Sequence, residues 1–402
     1  MHILLVSPHF YPENFKCNDV AFELAKKGHS VTVLSDIPNY PQGHFFKGYG
    51  IFKRRVEEVN GVKIIRALVI PRGNGSGIRL MLNYLSFAFF ASIDALFFAF
   101  KYKFDAILVH ETSPITVGIP ALIVKKIQRI PFYFWVLDLW PESLSAAGGI
   151  NNKYILGLFA SIARMLYRNS TKILISSQGF RSSILEKGNF AEKIEYFPNW
   201  AEDTFTQVNQ SEFSIPTLPQ GFKIMFAGNI GEAQDFDHIL KAALLLKDYN
   251  DIHFVLVGDG RKKQWIENFV QENNLLDTVH LLGRYPLEMM PSFFKQADVM
   301  LLPLKDNLIF NLTVPAKLQA YMASSKPVVG MINGEAQVLI EKSQCGLCCS
   351  AGESEKLKEN ILSLYKLSQN ELNTLGENGF KYFTAHFTKD VCLRHLLQLL
   401  EK

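Results

Sequence analysis

The sequence predicts an α/β protein built from two doubly wound, Rossmann-like domains facing each other across a cleft. Three observations carry this prediction. At 402 residues the chain exceeds one ordinary domain. Apolar runs of strand length alternate with helical patterns through both halves, as in parallel sheets covered by helices on both faces. A polar, proline-rich stretch, PNWAEDTFTQVNQSEFSIPTLPQG at 198–221, separates the two series and reads as a linker.

In the first half the strands fall at 2–7, 30–35, 62–67, 105–110, 132–137 and 172–177. Between the first two, DVAFELAKKG has apolar residues spaced by three and four and stops at Gly28, a helix C-terminal signal. These elements make a first domain of residues 1–200. A fresh strand at 222–229 opens the second domain, 221–387, with further strands at 253–260, 279–284, 298–304 and 326–332. Helices such as KKQWIENFVQENN and PSFFKQA lie between them. The amphipathic segment 388–402 is expected to pack back on the first domain.

Composition excludes several classes. Hydrophobic residues make up 48% and charged residues 20%, which is globular. A net charge of +4 suits an anionic small substrate or a membrane surface but is too weak for nucleic acid. Five cysteines make no disulfide framework, and Cys345, Cys348 and Cys349 in QCGLCCSAG read better as a short apolar strand than as a metal site. The opening MHILLVSPHF lacks the basic flank and cleavage site of a signal peptide, so a cytoplasmic protein is expected. Residues 80–100, LMLNYLSFAFFASIDALFFAF, are about as long as a membrane span. Asn83 and Asp94 make spanning expensive. The segment therefore reads either as a helix buried on the first sheet or as one lying at a membrane surface. In the second case FKRR at 52–55, with Arg72 and Arg79, would meet anionic headgroups.

The second domain carries the nucleotide-site signal. FAGNIGEAQ ends a strand with Gly228, Asn229 and Gly231, where backbone can approach a ligand closely. VLVGDGRKK repeats the arrangement with Gly258 and Gly260, followed by Arg261, Lys262 and Lys263. LLGRYP offers Gly283, Arg284 and Tyr285 where a base or ribose can lie. TVPAKLQAY sets Pro315 at a helix start and Lys317 in the first turn, so a phosphate there would meet both amides and an ammonium. No G-x-G-x-x-G follows the first strand of either half, and no P-loop or G-x-S-x-G elbow occurs, which disfavours a nicotinamide oxidoreductase, a P-loop NTPase and a serine hydrolase. DFD at 235–237 fits D-x-D, but Asp237 reads more simply as an N-cap.

In the first domain the strand FYFWVL runs into DLWPESL, placing Asp138 and Glu142 at its carboxyl end. They are either catalytic acids or residues that cap a turn and favour a helix N-terminus.

These motifs resemble the family 4 retaining glycosyltransferases of the GT-B fold over essentially the whole chain. The matching segments are YPENFKCNDVAFELAKKGHSVTVLS, IPNYPQG with GYG, TSP at 112–114, DLWPES, FPNW, AGNIGEAQ, VGDG, LLGRYP and VPAKLQAYMASSKPVV. Within the family the chain is similar to the branch that builds bacterial O-antigens and capsules, including fucosamine transferases. The resemblance implies a metal-independent hexosyltransferase-type enzyme, with a nucleotide-sugar donor on the second domain and an acceptor on the first. It needs no cofactor. Lys317 and Arg261 would stabilise the departing diphosphate. Many relatives place a cation where this chain has Gln234. The two glutamates that much of the wider family carries are replaced by Leu312 and Ala320. Asp138 and Glu142 are then the best-placed acids, Asp138 to orient the acceptor hydroxyl or take its proton, Glu142 to bind a sugar hydroxyl or act as that base.

Asn14 and Asn18 replace paired glycines of relatives and either bind ligand or hold their loop. His9 follows the first strand and is either an acceptor-site group or a turn former. Asn39 and Tyr40 in IPNYPQG are expected at the acceptor. The reaction expected is transfer of an N-acetylated hexosamine or deoxyhexosamine from a UDP-sugar to a lipid-diphosphate-linked saccharide, at the inner face of the cell membrane. Two alternatives stay open: a UDP-sugar 2-epimerase, and a catalytically silent sugar-nucleotide-binding scaffold subunit.

Overall fold

The computed structural model describes residues 1–146, 149–205 and 213–401; part of the expected linker, 206–212, lies outside the described residues. The chain divides into two units, Met1–Phe197 with Leu393–Lys402, and Pro198–Cys392.

Among the described residues the first unit forms one sheet from β1 (His2–Val6), β2 (Ser30–Asp36), β3 (Val56–Val59), β4 (Val62–Ala67), β5 (Ala106–Glu111), β6 (Phe132–Val136), β7 (Lys172–Ile175) and β8 (Ile194–Tyr196). Their order is β3-β4-β2-β1-β5-β6-β7-β8. All pairings are parallel except β3 on β4. The central strands are buried on both faces, which is why they read as unbroken apolar runs; Leu4, Leu108 and Phe134 are fully buried. The sheet order reverses between β1 and β5. In such sheets ligands bind beyond the carboxyl ends at the reversal.

The helix Gly77–Lys101 packs on the helix Gly118–Gln128 and has two apolar sides. Phe87, Ala91, Ala95 and Phe98 are buried, whereas Ile78, Leu82, Phe89, Ile93, Phe97 and Phe100 face outward and are exposed. Asn83 and Asp94 on this helix both have partners within the unit. Asn83 donates to the Ile70 carbonyl at 2.7 Å, and Asp94 pairs with Arg55 at 3.6 Å.

The second unit forms a parallel sheet from β9 (Phe222–Ala227), β10 (Ile252–Val257), β11 (Val279–Gly283), β12 (Val299–Pro303), β13 (Val328–Met331) and β14 (Gly346–Cys349). The order is β11-β10-β9-β12-β13-β14, with its reversal between β9 and β12. Its core joins Ile224, Phe226, Phe236, Phe254 and Leu301. The cysteines of QCGLCC are free thiols.

The described residues at either end of the expected linker carry apolar anchors. Trp200 and Leu218 are buried, and Phe205 stacks on Phe294 with ring centroids 5.4 Å apart. Three apolar anchors were hidden in a polar, proline-rich composition. At the other end of the chain Leu396 and Leu399 are buried, and the Tyr133 hydroxyl donates to the Leu399 carbonyl at 2.5 Å.

Candidate functional site

In the second unit the loops after β9 and β10 and the start of the helix Ala316–Ala323 crowd one spot. A side-chain carbon on Gly228, which has φ +138°, would stand 2.5 Å from Lys317 Cε; one on Gly258, φ +152°, would stand 1.8 Å from the Gly228 carbonyl oxygen. The backbone reaches this density because both positions lack a Cβ and tolerate positive φ. Gly260 closes on the Ile230 carbonyl, and Gly231 on the Asn229 amide. Pro315 occupies the N-cap position of the lysine's helix.

Lys317 is half-buried, with Nζ 4.0 Å from the Phe226 ring centroid. Among the described residues it has no carboxylate partner. Burial depresses its pKa from 10.5 to about 7. An ammonium held in poor solvent beside exposed helix amides favours an anion, whose charge restores the protonated form. Arg261, next to Gly260, is exposed and available to the same ligand. Lys262 is committed elsewhere, to Asp237 at 3.2 Å and Glu232 at 3.5 Å. This corrects the expectation for Asp237. It lies inside the first turn and neutralises Lys262, while Asp235 takes the N-cap position at φ 48° and accepts from His238 Nδ1 at 2.8 Å. Gln234 Oε1 accepts from the Gly231 amide at 3.1 Å, so a side-chain amide braces the loop.

Gly283 ends β11, and Arg284 and Tyr285 follow it. Gly283 accepts from the Gly258 amide at 2.8 Å, Arg284 is exposed, and Tyr285 packs on Phe293. The structure therefore joins Gly228, Asn229, Gly231, Gly258, Pro315 and Lys317 in one cradle and links the Gly283 loop to it through the backbone.

In the first unit Asp138 and Glu142 are both engaged. Asp138 accepts from the Ser143 hydroxyl and from Trp140 Nε1 at 3.1 Å, and burial raises its pKa above the usual carboxylate range. Glu142 opens the helix Glu142–Ala146 and holds the buried Lys187 ammonium together with the Ser183 hydroxyl at 2.6 Å. Beside them lies an acid the sequence reading passed over. Glu111 ends β5, fully buried, and accepts from the Asp138 amide at 3.4 Å. Burial and the Asp138 charge push its pKa well up. The Tyr167 hydroxyl is buried nearby with no hydrogen-bond partner among the described residues.

The loop residues separate into two groups. Asn18 donates to the Glu13 carbonyl at 2.7 Å. Asn39 is fully buried; its amide donates to Asp36 at 3.2 Å and to the Ile37 carbonyl at 2.9 Å, and its oxygen accepts from the Arg72 amide at 3.2 Å. Both brace their loops through these bonds, the loop-holding alternative weighed for Asn18. Asn14 and Tyr40 are exposed, and the Arg72 guanidinium lies 5.0 Å over the Tyr40 ring. His9, buried, packs on Tyr40 and Phe15, its Nδ1 2.8 Å from Glu13 Oε2. Glu13 was also missed. Its four-residue spacing from His9 carries meaning on a helix, whereas here both residues sit on a loop.

Residues 16–200 match the family described as glycosyl transferase 4-like domain, and residues 209–382 match glycosyl transferases group 1. Similar sequences include the Pseudomonas aeruginosa protein WbjE, named a probable glycosyltransferase, 24% identical over 69% of this chain and 73% of that protein. The Escherichia coli (strain K12) protein WcaI, named for glycosyl transfer in colanic acid biosynthesis, is 26% identical over 75% and 74%. AmsK of Erwinia amylovora, an amylovoran biosynthesis glycosyltransferase, is 22% identical over 74% and 70%. Among solved structures, sucrose-phosphate synthase from Thermosynechococcus elongatus aligns with a TM-score of 0.73 at 17% identity, covering 100% of this chain and 98% of that one. Anabaena Alr3699/HepE in complex with UDP gives 0.70 at 14%, covering 100% and 99%.

Proposed function

Since the chain is a glycosyltransferase of the GT-B fold, a 4-like domain followed by a group 1 domain, we propose that it transfers a sugar from a UDP-sugar to a lipid-diphosphate-linked saccharide during assembly of a bacterial surface polysaccharide. The sugar we assign is an N-acetylated hexosamine or deoxyhexosamine, moved with retention and without a metal. The observation that carries the reading is the unpaired, half-buried Lys317 facing Gly228. Lys317 and Arg261 meet the diphosphate, Arg284 and Tyr285 the nucleoside, and Asp138 orients the acceptor hydroxyl while Glu142 lies beside it. Asn14 and Tyr40 offer exposed contacts to the acceptor. Relatives named for colanic acid and amylovoran biosynthesis support the pathway class, and a structural neighbour in complex with UDP supports the base.

The outward apolar side of the helix Gly77–Lys101 supports peripheral binding at the inner face of the membrane. Arg79, Lys101 and Lys103 are exposed around it, and Lys53 and Arg54 flank the 97% exposed Phe52. Such an arrangement suits an anionic bilayer surface.

The test is thermal unfolding with UDP-, GDP- and dTDP-sugars, because a tight donor stabilises the fold by mass action. A stabilising donor is then incubated with and without a lipid-diphosphate-linked saccharide, in EDTA, and the anomeric configuration of the product is read by NMR. We expect a UDP-N-acetylhexosamine or deoxy analogue to stabilise the protein and to be consumed only with acceptor. Consumption of the donor alone would instead mean epimerisation, and absence of any stabilisation would end the reading.

A further inference from the structure

We propose that Arg72 binds the diphosphate of the lipid-linked acceptor, its guanidinium held ready for that anion by the rings of Tyr40 and Tyr84. The inference rests on the glycosyl-transfer reading and gives the charged part of the acceptor a cation separate from those assigned to the donor.

The position comes first. In open α/β sheets ligands bind beyond the carboxyl ends of the strands. The loop at 37–43 follows β2, and the loop at 68–76 follows β4, its neighbour in the sheet. Two hydrogen bonds join these loops: the Gly73 amide donates to the Gly43 carbonyl at 2.7 Å, and the Arg72 amide to Asn39 Oδ1 at 3.2 Å. From there the chain enters the helix Gly77–Lys101, whose outward apolar side suits a bilayer. A diphosphate on a membrane lipid is kept at the bilayer surface by its hydrocarbon chain, so a cation that receives it belongs beside the element that touches the bilayer.

The side chain of Arg72 is half-buried and fixed. Its guanidinium carbon lies 5.0 Å from the Tyr40 ring centroid and 5.7 Å from that of Tyr84, and Nη2 donates to the Tyr84 hydroxyl at 3.2 Å. Tyr40 is fixed in turn. Its ring packs on His9 at 5.2 Å and on Phe15 at 5.6 Å, and its amide donates to Glu13 Oε1 at 2.6 Å. Aromatic faces attract a cation without neutralising it.

The charge of Arg72 is also left uncancelled. No carboxylate pairs with it among the described residues. The acids of this corner are engaged elsewhere. Glu13 meets His9 Nδ1 and the Asn39 and Tyr40 amides. Asp36 accepts from the Asn39 side chain and feels Arg72 only at longer range, while burial and the Glu13 charge hold its pKa well up, towards the neutral form.

Arg79 shows the contrast. It stands exposed in the first turn of the helix and acts on a bilayer through solvent and salt. Arg72 is ordered before any ligand arrives, so binding costs little side-chain entropy. Its Nε and Nη1 have no protein acceptor among the described residues, and a planar fork of donors matches two phosphate oxygens. A phospholipid headgroup shares this chemistry with a lipid-linked diphosphate. The fixed fork favours the diphosphate, which carries more charge on more oxygens.

The full-length protein is tested as Arg72→Gln, Arg72→Lys and Tyr84→Phe, each checked by its unfolding midpoint. Dodecyl diphosphate is titrated by calorimetry below its micellar concentration, with UDP at saturation so that the donor site cannot capture it. Uncharged dodecyl glucoside is the control. Wild type should bind the diphosphate about tenfold or more tighter than the glucoside, and Arg72→Gln should erase that preference by weakening the diphosphate alone. A merely structural loss would weaken both. Arg72→Lys should recover only part, because an ammonium lacks the fork. Tyr84→Phe, which keeps the ring, should weaken the diphosphate about threefold and decides the matter if Arg72→Gln fails to fold. Vesicles of phosphatidylglycerol and phosphatidylcholine should bind Arg72→Gln as they bind wild type. In the transfer assay Arg72→Gln should raise the KM of a lipid-diphosphate-linked saccharide about tenfold, with kcat and the donor KM nearly unchanged. Equal affinity of wild type and Arg72→Gln for dodecyl diphosphate would overturn the proposal. So would a parallel loss of vesicle binding, which would assign Arg72 to phospholipid headgroups. Arg72-dependent binding of dodecyl diphosphate by a chain that transfers no sugar would remove the glycosyl-transfer reading and leave the site standing. Sugar transfer with the same acceptor KM in Arg72→Gln and wild type would remove the site alone.

Discussion

Gly258 lies so close to Gly228 that a methyl group on it would stand 1.8 Å from the Gly228 carbonyl oxygen. The obstacle is backbone, which cannot rotate away, and φ at Gly258 is +152°. Gly258→Ala should therefore force the two loops apart. Gly283 provides the control. It also has positive φ, +82°, but a side chain there meets nothing within 4 Å. Gly283→Ala should cost about 1–2 kcal/mol of stability from the left-handed backbone alone and leave UDP binding intact. Gly258→Ala should cost more and weaken UDP binding at least tenfold, as read by urea unfolding and calorimetry. Equal effects from both substitutions would show that the crowding around Gly228 has no bearing on the ligand.

Lys317 makes nucleotide binding pH-dependent in a stated direction. Its folded pKa, about 7, lies below the unfolded 10.5, so between these values the unfolded chain binds more protons. Stability from this group accordingly rises with pH across that window and is flat below it. A diphosphate reverses the depression, so binding above pH 7 takes up a proton. UDP affinity should fall as pH increases from 7 towards 10. Calorimetry at pH 8.5 in buffers of different ionisation enthalpy should show uptake approaching one proton. Lys317→Met should abolish the uptake and weaken UDP by about tenfold to a hundredfold, the worth of a charged hydrogen bond.

The glycine loops and Lys317 were legible in the sequence because each is local: a strand, a glycine, a helix start. The central strands were legible for the same reason, burial on both faces leaving unbroken apolar runs. What escaped is relational. VEEV, β3, is an edge strand whose side chains are exposed or half-buried, so no apolar run marks it. Trp200, Phe205 and Leu218 are isolated among polar residues and prolines, and only the surface they pack against makes them structural. Glu142 was readable as an acid near a helix start, but its partner Lys187 lies 45 positions away. Glu13 acquires its role from the Asn39 and Tyr40 amides, which no spacing rule connects to it.

The Glu142–Lys187 pair gives a prediction that separates packing from chemistry. Lys187 is 8% exposed, and removing it leaves the Glu142 carboxylate, among the described residues, with the Ser183 hydroxyl alone. Lys187→Met should cost about 3 kcal/mol, the scale of breaking a buried pair, with some relief because Glu142 keeps contact with solvent. The double change Glu142→Gln with Lys187→Met should be more stable than Lys187→Met alone, since no unpaired charge remains. If the double variant is stable but inactive, Glu142 acts on substrate as well as on Lys187. If it is stable and active, its role is confined to the fold. Denaturant unfolding and the transfer assay together read both outcomes.

The helix Gly77–Lys101 supplies the last prediction. Phe89, Phe97 and Phe100 are 62%, 67% and 78% exposed, on the side opposite the buried Phe87, Ala91 and Phe98. Exposed phenylalanines contribute little to folding, so changing all three to serine should leave the unfolding midpoint within the noise of surface substitutions, about 0.5 kcal/mol each. Phe98→Ser, from the inward side, should destabilise strongly. Vesicles of anionic lipid should bind wild type and release it at high salt, because the rim residues Arg79, Lys101 and Lys103 act through screened charge. The triple variant should lose binding even at low salt, since charge alone holds a protein at a bilayer weakly without apolar insertion. Asp94 sharpens the test. It is the one acidic residue within the helix, and Arg55 neutralises it at 3.6 Å. Arg55→Gln should therefore weaken vesicle binding by exposing a carboxylate to the anionic surface, and Arg55→Gln with Asp94→Asn should restore it. Undiminished binding by the triple variant would exclude this helix as the contact.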